Sequence, residues 1–515
     1  MRKLGQDPAP ALALISGALS ALAFPPFRVW PLIFVAPIPL LWALDRRKDR
    51  SLRGAFLLGW AAAFLHFLIL LDWILALPGE EVTIPGLMIP ALLFMSAYLG
   101  VFFGGAALLA VWVRRRLPRM PLGIIWAVAA VAADAARSSG EIGFPWGSGG
   151  YALVGVTPVL QLASVTGYWG LALWVNLIGA SLFHALRAST ARWRITAGIA
   201  TALLLVVPWI EGNAVLARAP RDRIDGPDGL RIAVLQPNTS RTIKWDPRYR
   251  EIVVADLLQR TVAAARTKPD LIIWPETAAP IVLLQEPVFL AQVEDTIRSL
   301  GVPVLVGTLD ESLVNGQYVA HNSAALFGSD GGIVDRYDKQ RLVPFSERMP
   351  YQRALGFLNS LNFGQSDFTP GTRSVIFNVG PARFGCLICF ESIFPGLARG
   401  FVKAGANMLV NITNDFWFGD TAAPEQHADM AVFRAIENRV PLVRCANTGI
   451  SMIVDPWGRI THRTGTFIEA LITARVRPSH GASFYGRHGE WLLCGLLAFC
   501  GALVASAAMA PRATR

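Results

Sequence analysis

Apolar stretches recur through the first two hundred residues and return once near the end, at about 9 to 24, 30 to 44, 54 to 77, 87 to 113, 121 to 136, 160 to 186, 195 to 210 and 490 to 510. A segment inside a bilayer must pair all of its own backbone polar groups, which a helix does, and roughly 20 residues carry it across. The pattern predicts a polytopic α-helical membrane domain of about eight transmembrane helices. Two stretches, 121 to 136 and 195 to 210, are short, and the first carries Asp134. Loop charge gives an independent check. Arg2 and Lys3, the run DRRKDRSLR at 45 to 53, RRRLPRM at 114 to 120, RASTARWR at 187 to 194, and Arg512 with Arg515 are basic, whereas PGEEVTIPG at 78 to 86 holds two glutamates and no Lys or Arg. Eight crossings put every basic loop in the cytoplasm and leave the long hydrophilic region 211 to 489 outside. Removing a single span would break that agreement.

Composition agrees with a membrane class: 53% of the 515 residues are apolar and mean hydropathy is +0.44. The formal charge of +11 does not argue for nucleic acid, because the basic residues sit in short runs between apolar segments. A channel is disfavoured by the scarcity of ionisable residues in the spans. The first stretch also has the form of a signal peptide, but Pro25 and Pro26 follow it closely and the next apolar segment begins almost at once. LLCG at 492 to 495 faintly resembles a lipid-attachment box, yet it lies at the wrong end of the chain. Cys494 reads as an apolar filler.

From Leu230 onward the pattern changes to short β-rich runs at 230 to 236, 270 to 276, 302 to 309, 322 to 328, 333 to 339, 383 to 390, 407 to 413, 441 to 447 and 451 to 456, with helical stretches at about 248 to 266, 287 to 300, 392 to 403 and 425 to 439. Strands alternating with helices, several strands purely apolar, predict an α/β layered domain with covered sheets. The domain boundaries expected are 1 to 210 for the membrane domain, 211 to 229 for a linker, 230 to 480 for the α/β domain and 490 to 510 for the last helix.

Five cysteines are too few and too unevenly placed for a disulfide framework, but two of them, in CLICFES at 386 to 392, lie three residues apart. On a strand such residues face opposite ways, so Cys386 and Cys389 cannot share a metal, and no second Cys-x-x-Cys exists to complete a zinc site. Cys386 reads as core. Cys389 falls where the strand ends, the place where α/β folds put their chemistry. A thiol needs a base or a cation to react. The seven histidines include His321 and His427 in this domain, and neither belongs to a recognisable Cys-His signature. Other strand ends offer Glu276, in WPET, and Lys339, with Glu347 eight residues further on. Each alone reads more readily as a surface ion pair; together they make a base, a cation and a nucleophile.

In order and context, WPET (274 to 277), YDKQRLVPFSE (337 to 347) and GCLICFES (385 to 392) resemble the Glu-Lys-Cys triad of the nitrilase superfamily. With GFPWGSGGYA (143 to 152) and TGYWGLALWVN (166 to 176) before this domain and one span after it, essentially the whole chain resembles the membrane-embedded apolipoprotein N-acyltransferase family. IKWDP (243 to 247), NITNDFWFGD (411 to 420) and the stretch 425 to 451 match as well. The resemblance implies a nitrilase-like αββα sandwich beside the membrane helices, with Glu276 as general base, Lys339 as the cation for thiolate and oxyanion, and Cys389 as nucleophile. It assigns supporting carboxylates to Glu347 and Glu391 and substrate-access or lid positions to Trp245, Phe390, Trp417 and Phe418. Phe390 stands where a tyrosine is expected in many members, so no hydroxyl acts there. It further implies a phospholipid donor such as phosphatidylethanolamine, a diacylated apolipoprotein acceptor, no metal or other cofactor, no nucleic acid, and a catalytic domain on the periplasmic face of the bacterial inner membrane. A membrane-tethered amidase with water as acceptor would use the same triad. A silent scaffold would have no reason to keep Glu276, Lys339 and Cys389 together.

Overall fold

The computed structural model describes residues 7–46, 51–77, 86–220, 224, 226–244, 246–279, 281–314, 316–352, 367–479, 481 and 483–511. Trp245, most of the acidic loop at 78 to 86, part of the basic run at 45 to 53, and the basic termini (Arg2, Lys3, Arg512 and Arg515) lie outside them. The chain forms two compact units, one holding the residues up to Ala217 together with the last helix, the other holding Arg218–Gly489.

Among the described residues of the first unit, five helices are long and apolar enough to cross a membrane: Leu52–Leu70, Met88–Arg116, Tyr168–Arg187, Ala191–Arg218 and Trp491–Met509. Ala9–Leu22 is apolar but shorter. The stretch expected at 30 to 44 is interrupted, with a turn of helix at Leu32–Val35 and a second helix from Pro37 to Arg46; Pro37 has no N–H to continue the ladder. The stretch expected at 160 to 186 is also not one helix. Gly167, at φ 65° and ψ −177°, separates two short turns from Tyr168–Arg187, a backbone state open to glycine. Conversely, the helix expected at 195 to 210 runs over Ala191–Arg218 with only Thr201 and Gly212 buried.

Helix Leu122–Arg137 is buried along most of its length and packs against Met88–Arg116, Tyr168–Arg187 and Trp491–Met509. Its Asp134 is not an unpaired charge. Arg137 one turn on donates to it at 2.7 Å, Ser148 donates to its other oxygen at 2.9 Å, and Arg137 also holds the carbonyls of Phe144 and Trp146. A neutralised, hydrogen-bonded pair is the form in which an acid is tolerated among apolar helices.

The second unit holds two six-stranded sheets. In the first, β1 (Leu230–Gln236), β2 (Leu271–Ile273) and β3 (Val304–Val314) run parallel, followed by antiparallel β4 (Gln317–Phe327) and β5 (Ile333–Asp338). In the second, β7 (Ala382–Ile388), β8 (Met408–Thr413) and β9 (Leu442–Ala446) are parallel, with β6 (Phe377–Val379) on one side and β10 (Met452–Val454) and β11 (Ile460–Arg463) on the other. The last strand, β12 (Ala470–Val476), returns to the first sheet and pairs with β1 from Leu230↔Val476 to Gln236↔Ala470. The sheets face each other, β1 against β9 and β4 against β7. Helices Arg250–Ala265 and Pro287–Leu300 cover the outside of the first around Trp274, Leu257 and Ile297, and Pro395–Lys403 and Ala423–Asn438 pack with the second. This is an αββα sandwich, which explains why the central strands carry apolar side chains on both faces. Strands β6, β11 and β12 were not expected from the sequence; β6 has three residues, and β11 reads half polar.

Candidate active site

Three strand ends converge in the second unit. After β2 the chain turns sharply through Pro275 and Glu276 to Thr277, which takes φ 41°. A Cβ on the neighbouring Gly307 would stand 2.7 Å from the Glu276 Cα, so this approach requires glycine. Glu276 is 5% exposed. One carboxylate oxygen accepts from Asn322 Nδ2 at 2.7 Å and Lys339 Nζ at 3.3 Å, and the other from the Asn414 amide at 2.8 Å. Asn322, on β4, also donates to Glu347 Oε1 at 3.0 Å, and Lys339, one residue past β5, reaches the same oxygen at 2.8 Å. Glu347 closes its own loop by accepting from the Val343 amide at 2.8 Å. One lysine and one amide thus tie two carboxylates together. Burial works against the Lys339 charge, but Glu347 and Glu276 outweigh it and hold the ammonium above the ordinary lysine range.

Cys389 follows β7 directly and opens the 3₁₀ turn Cys389–Ile393 with φ 51°. A non-glycine residue in the left-handed region is strained, and strain of this kind gathers at functional turns. Cys386, within β7, is fully buried, and burial pushes its thiol well above the ordinary value. Cys389 keeps part of its surface open. Burial and the Glu276 charge raise its thiol, against the opposing pull of Lys339. At rest, therefore, Cys389 is a thiol, and ionising it calls for a base that acts during attack.

Glu391 is wholly buried and knits the site's loops. Its Oε1 accepts from Tyr337 Oη, Gln340 N and Arg341 N, and its Oε2 from Ile388 N at 2.8 Å. Burial pushes the group up to about 7, yet both oxygens meet only donors, a set that a carboxylate satisfies and a carboxylic acid does not. Phe390 is buried and packs edge-on against Phe394. Trp417 and Phe418 are half-buried on the turn Asp415–Phe418, with Phe418 beside the His427 ring. His321 lies apart from this cluster, bonded to Ser312 and the Thr369 carbonyl.

Several residues of the cluster were not picked out from the sequence: Asn322, Asn414, Asp415, Arg444 and Lys244. His427, set aside at that stage, is also here. Among the described residues, Cys389, Asp415 and His427 offer atoms within 4.8 Å of one another, a spacing that could suit a metal. Their bonding does not suit one. Asp415 accepts from Thr413 at 2.9 Å and from Arg444 at 2.8 Å, both His427 nitrogens face hydrogen-bond partners, and the buried Arg444 guanidinium already supplies the positive charge.

Lys244 is 1% exposed. Its Nζ meets Thr277 Oγ1 at 3.1 Å and the Glu276 carbonyl at 3.4 Å, so it supports the turn carrying Glu276. Burial lowers its pKa from 10.5 to about 7. Between those values the unfolded chain binds more protons than the folded one, so this group makes stability rise with pH through that window, and its desolvation cost is fully present below pH 7. Melting of wild type and Lys244→Met in detergent should show the wild type gaining on the variant between pH 6 and pH 9, by on the order of 2 kcal/mol. A pH-independent difference would count against a depressed pKa.

Residues 231–484 match the carbon-nitrogen hydrolase family, which defines the second unit as a nitrilase-like α/β enzyme domain. Residues 16–181 match the apolipoprotein N-acyltransferase N-terminal domain. The chain is 37% identical over 486 residues to an apolipoprotein N-acyltransferase of Geobacter metallireducens, covering 93% of this chain and 91% of that one. It is 33% identical over 500 residues to the Brucella melitensis enzyme of the same name (93% and 92%) and 30% identical over 509 residues to that of Pseudomonas syringae pv. tomato (97% and 97%). An amidase of Nesterenkonia AN1 from the nitrilase superfamily aligns over 54% of this chain and 98% of its own at 18% identity, with a TM-score of 0.40. The chain belongs to the apolipoprotein N-acyltransferase family. It is an acyltransferase.

Proposed function

We propose that the chain moves an acyl group from a phospholipid to the α-amine of the S-diacylglyceryl cysteine that begins an apolipoprotein, by way of a thioester on Cys389. The observation that carries this reading is the meeting of Glu276, Lys339 and Glu347 around Asn322, with the Cys389 thiol coupled to the charges of both Glu276 and Lys339. Glu276 takes the thiol proton as sulfur adds to the sn-1 ester carbonyl of a donor such as phosphatidylethanolamine. Lys339 and a backbone N–H near Cys389 meet the oxyanion. Collapse breaks the ester C–O bond, the departing glycerol oxygen takes the proton from Glu276, and lysophospholipid leaves. The acceptor amine then attacks the thioester while Glu276 takes its proton; the C–N bond forms, the C–S bond breaks, and the proton returns to sulfur. Glu347 holds Lys339, and Glu391 fixes the Lys339 and Cys389 loops to each other. Phe390, Trp417 and Phe418 make an apolar surround for the acyl chain that keeps water from the thioester.

The same reading takes residues 1 to 210 and 490 to 510 as eight crossings of the bacterial inner membrane, 211 to 229 as the linker, and 230 to 480 as a catalytic domain on the periplasmic side. The basic loops support that orientation, and the closed Asp134–Arg137 pair supports Leu122–Arg137 as a crossing. The test is intact-protein mass during incubation with phosphatidylethanolamine. The expected result is an acyl-sized gain that disappears when a diacylated lipopeptide is added and becomes triacylated. A gain discharged only as free fatty acid would make the chain a hydrolase, and no gain in folded protein would end the thioester mechanism.

A further inference from the structure

We propose that His427, oriented by Asp415 and Arg444, acts with Ser392 as a clamp on the Cys389 carbonyl that aims the Phe390 amide N–H at the substrate oxyanion. The carbonyl of Cys389 receives Ser392 Oγ at 2.9 Å and faces His427 Nε2 at 3.2 Å. In a trans peptide the C=O and the following N–H point to opposite sides of one rigid plane, so anchoring the first sets the direction of the second. The anchoring matters here because Cys389 sits at φ 51°, a state that relaxes unless its surroundings hold it.

The proton on His427 can be placed from its partners. Ser392 has given its hydrogen to the Cys389 carbonyl, so its oxygen, 3.1 Å from Nε2, can only accept. Nε2 faces that oxygen and a carbonyl and must carry a hydrogen. Nδ1 lies 3.0 Å from Asp415 Oδ1 and 3.1 Å from Arg444 Nη2. Burial and the Arg444 charge lower its pKa; a charged ring gives its Nδ1 hydrogen to Asp415, a neutral one accepts there from Arg444, and Nε2 keeps its own hydrogen in both. His427 therefore donates toward the Cys389 peptide and is not the base that takes the thiol proton. Arg444 is itself fixed, donating to Asp415 Oδ2 at 2.8 Å and to the Ile450 carbonyl at 3.1 Å. The set is a chain of positioning residues; none of them needs to touch substrate.

The inference rests on the acyl-enzyme reading, and its test separates the two. In the full-length protein, two rates at Cys389 are compared between wild type and His427→Leu: alkylation by iodoacetamide, which forms no oxyanion, and acylation by phosphatidylethanolamine, which does. The clamp predicts alkylation within about threefold of wild type and acylation lowered on the order of 100-fold, in the maximal rate rather than in the donor concentration needed. His427→Gln, which restores an N–H donor, should recover part of the loss. Both rates falling together would mean a general collapse of the site or a base role for His427, and an unchanged acylation rate would remove the clamp. Should His427→Leu not fold, Ser392→Ala removes the other donor to the same carbonyl, with about a 10-fold loss expected in acylation alone. The comparison is repeated with p-nitrophenyl acetate, so that wild type inert toward phospholipid but reactive here counts against the lipid reading and leaves the clamp tested.

Discussion

Cys389→Ala is expected to stay at its unmodified mass in phosphatidylethanolamine and to lose acyl transfer by at least about 10⁵-fold, with its melting temperature within a few degrees of wild type. No neighbouring group replaces the nucleophile: Cys386 is sealed inside β7 and Cys445 is buried with its thiol on the Leu235 and Ile273 carbonyls. The fold should not suffer, because the strain at φ 51° already falls on a residue with a Cβ. Glu276→Gln is the companion measurement, with a loss of roughly 10³-fold. Its amide nitrogen would face either the Asn322 and Lys339 donors or the Asn414 amide, all of which now point at carboxylate oxygens. An acyl adduct persisting in Cys389→Ala would relocate the nucleophile, and undiminished transfer in Glu276→Gln would remove it as the base.

Lys339→Met is expected to be costly twice over. Acyl-enzyme formation should fall by about 10³-fold, since the charge facing the developing oxyanion is gone. Stability should fall by about 3–5 kcal/mol, the usual penalty for leaving a buried charge without its partner. Glu276 and Glu347 would then share Asn322 with no cation between them. Two neighbouring carboxylates raise each other's pKa, so the folded variant would bind a proton more readily than the unfolded chain, and its stability relative to wild type should recover as pH falls from 8 to 5. Thermal melts at the two pH values check this. A variant as stable as wild type at pH 8 would mean that solvent already balances the pair.

How far the sequence could lead depended on whether the signal was local. The alternation of β7 separated Cys386 from Cys389, an apolar run ending in a charged residue pointed to Glu276, and a strand end pointed to Lys339. Each cue spans fewer than ten residues or so. The gly-dependent break at Gly167 and the kink at Pro37 were hidden because the surrounding stretch stays apolar on both sides, and hydropathy does not register backbone angle. Strand β12 was missed for another reason: its partner β1 lies about 240 positions away in the sequence. The polar network escaped entirely. Asn322 meets Glu276 across 46 residues and Asn414 meets it across 138, so no spacing along the chain could have joined them, and a lone Asn or His in a strand or helix carries no mark of its partner.

The pairing of β1 with β12 also bears on how the protein is made. Glu276 and Lys339 follow strands of the first sheet, and Cys389 a strand of the second, yet the strand that completes the first sheet is the last one synthesised. A growing chain at the ribosome can hold Glu276 and Lys339 without Cys389, and later all three without the edge that seals the sandwich. Such long-range pairing is slow to form. Cys389 consequently meets Glu276 and Lys339 in a sealed sandwich only after the whole domain has left the ribosome.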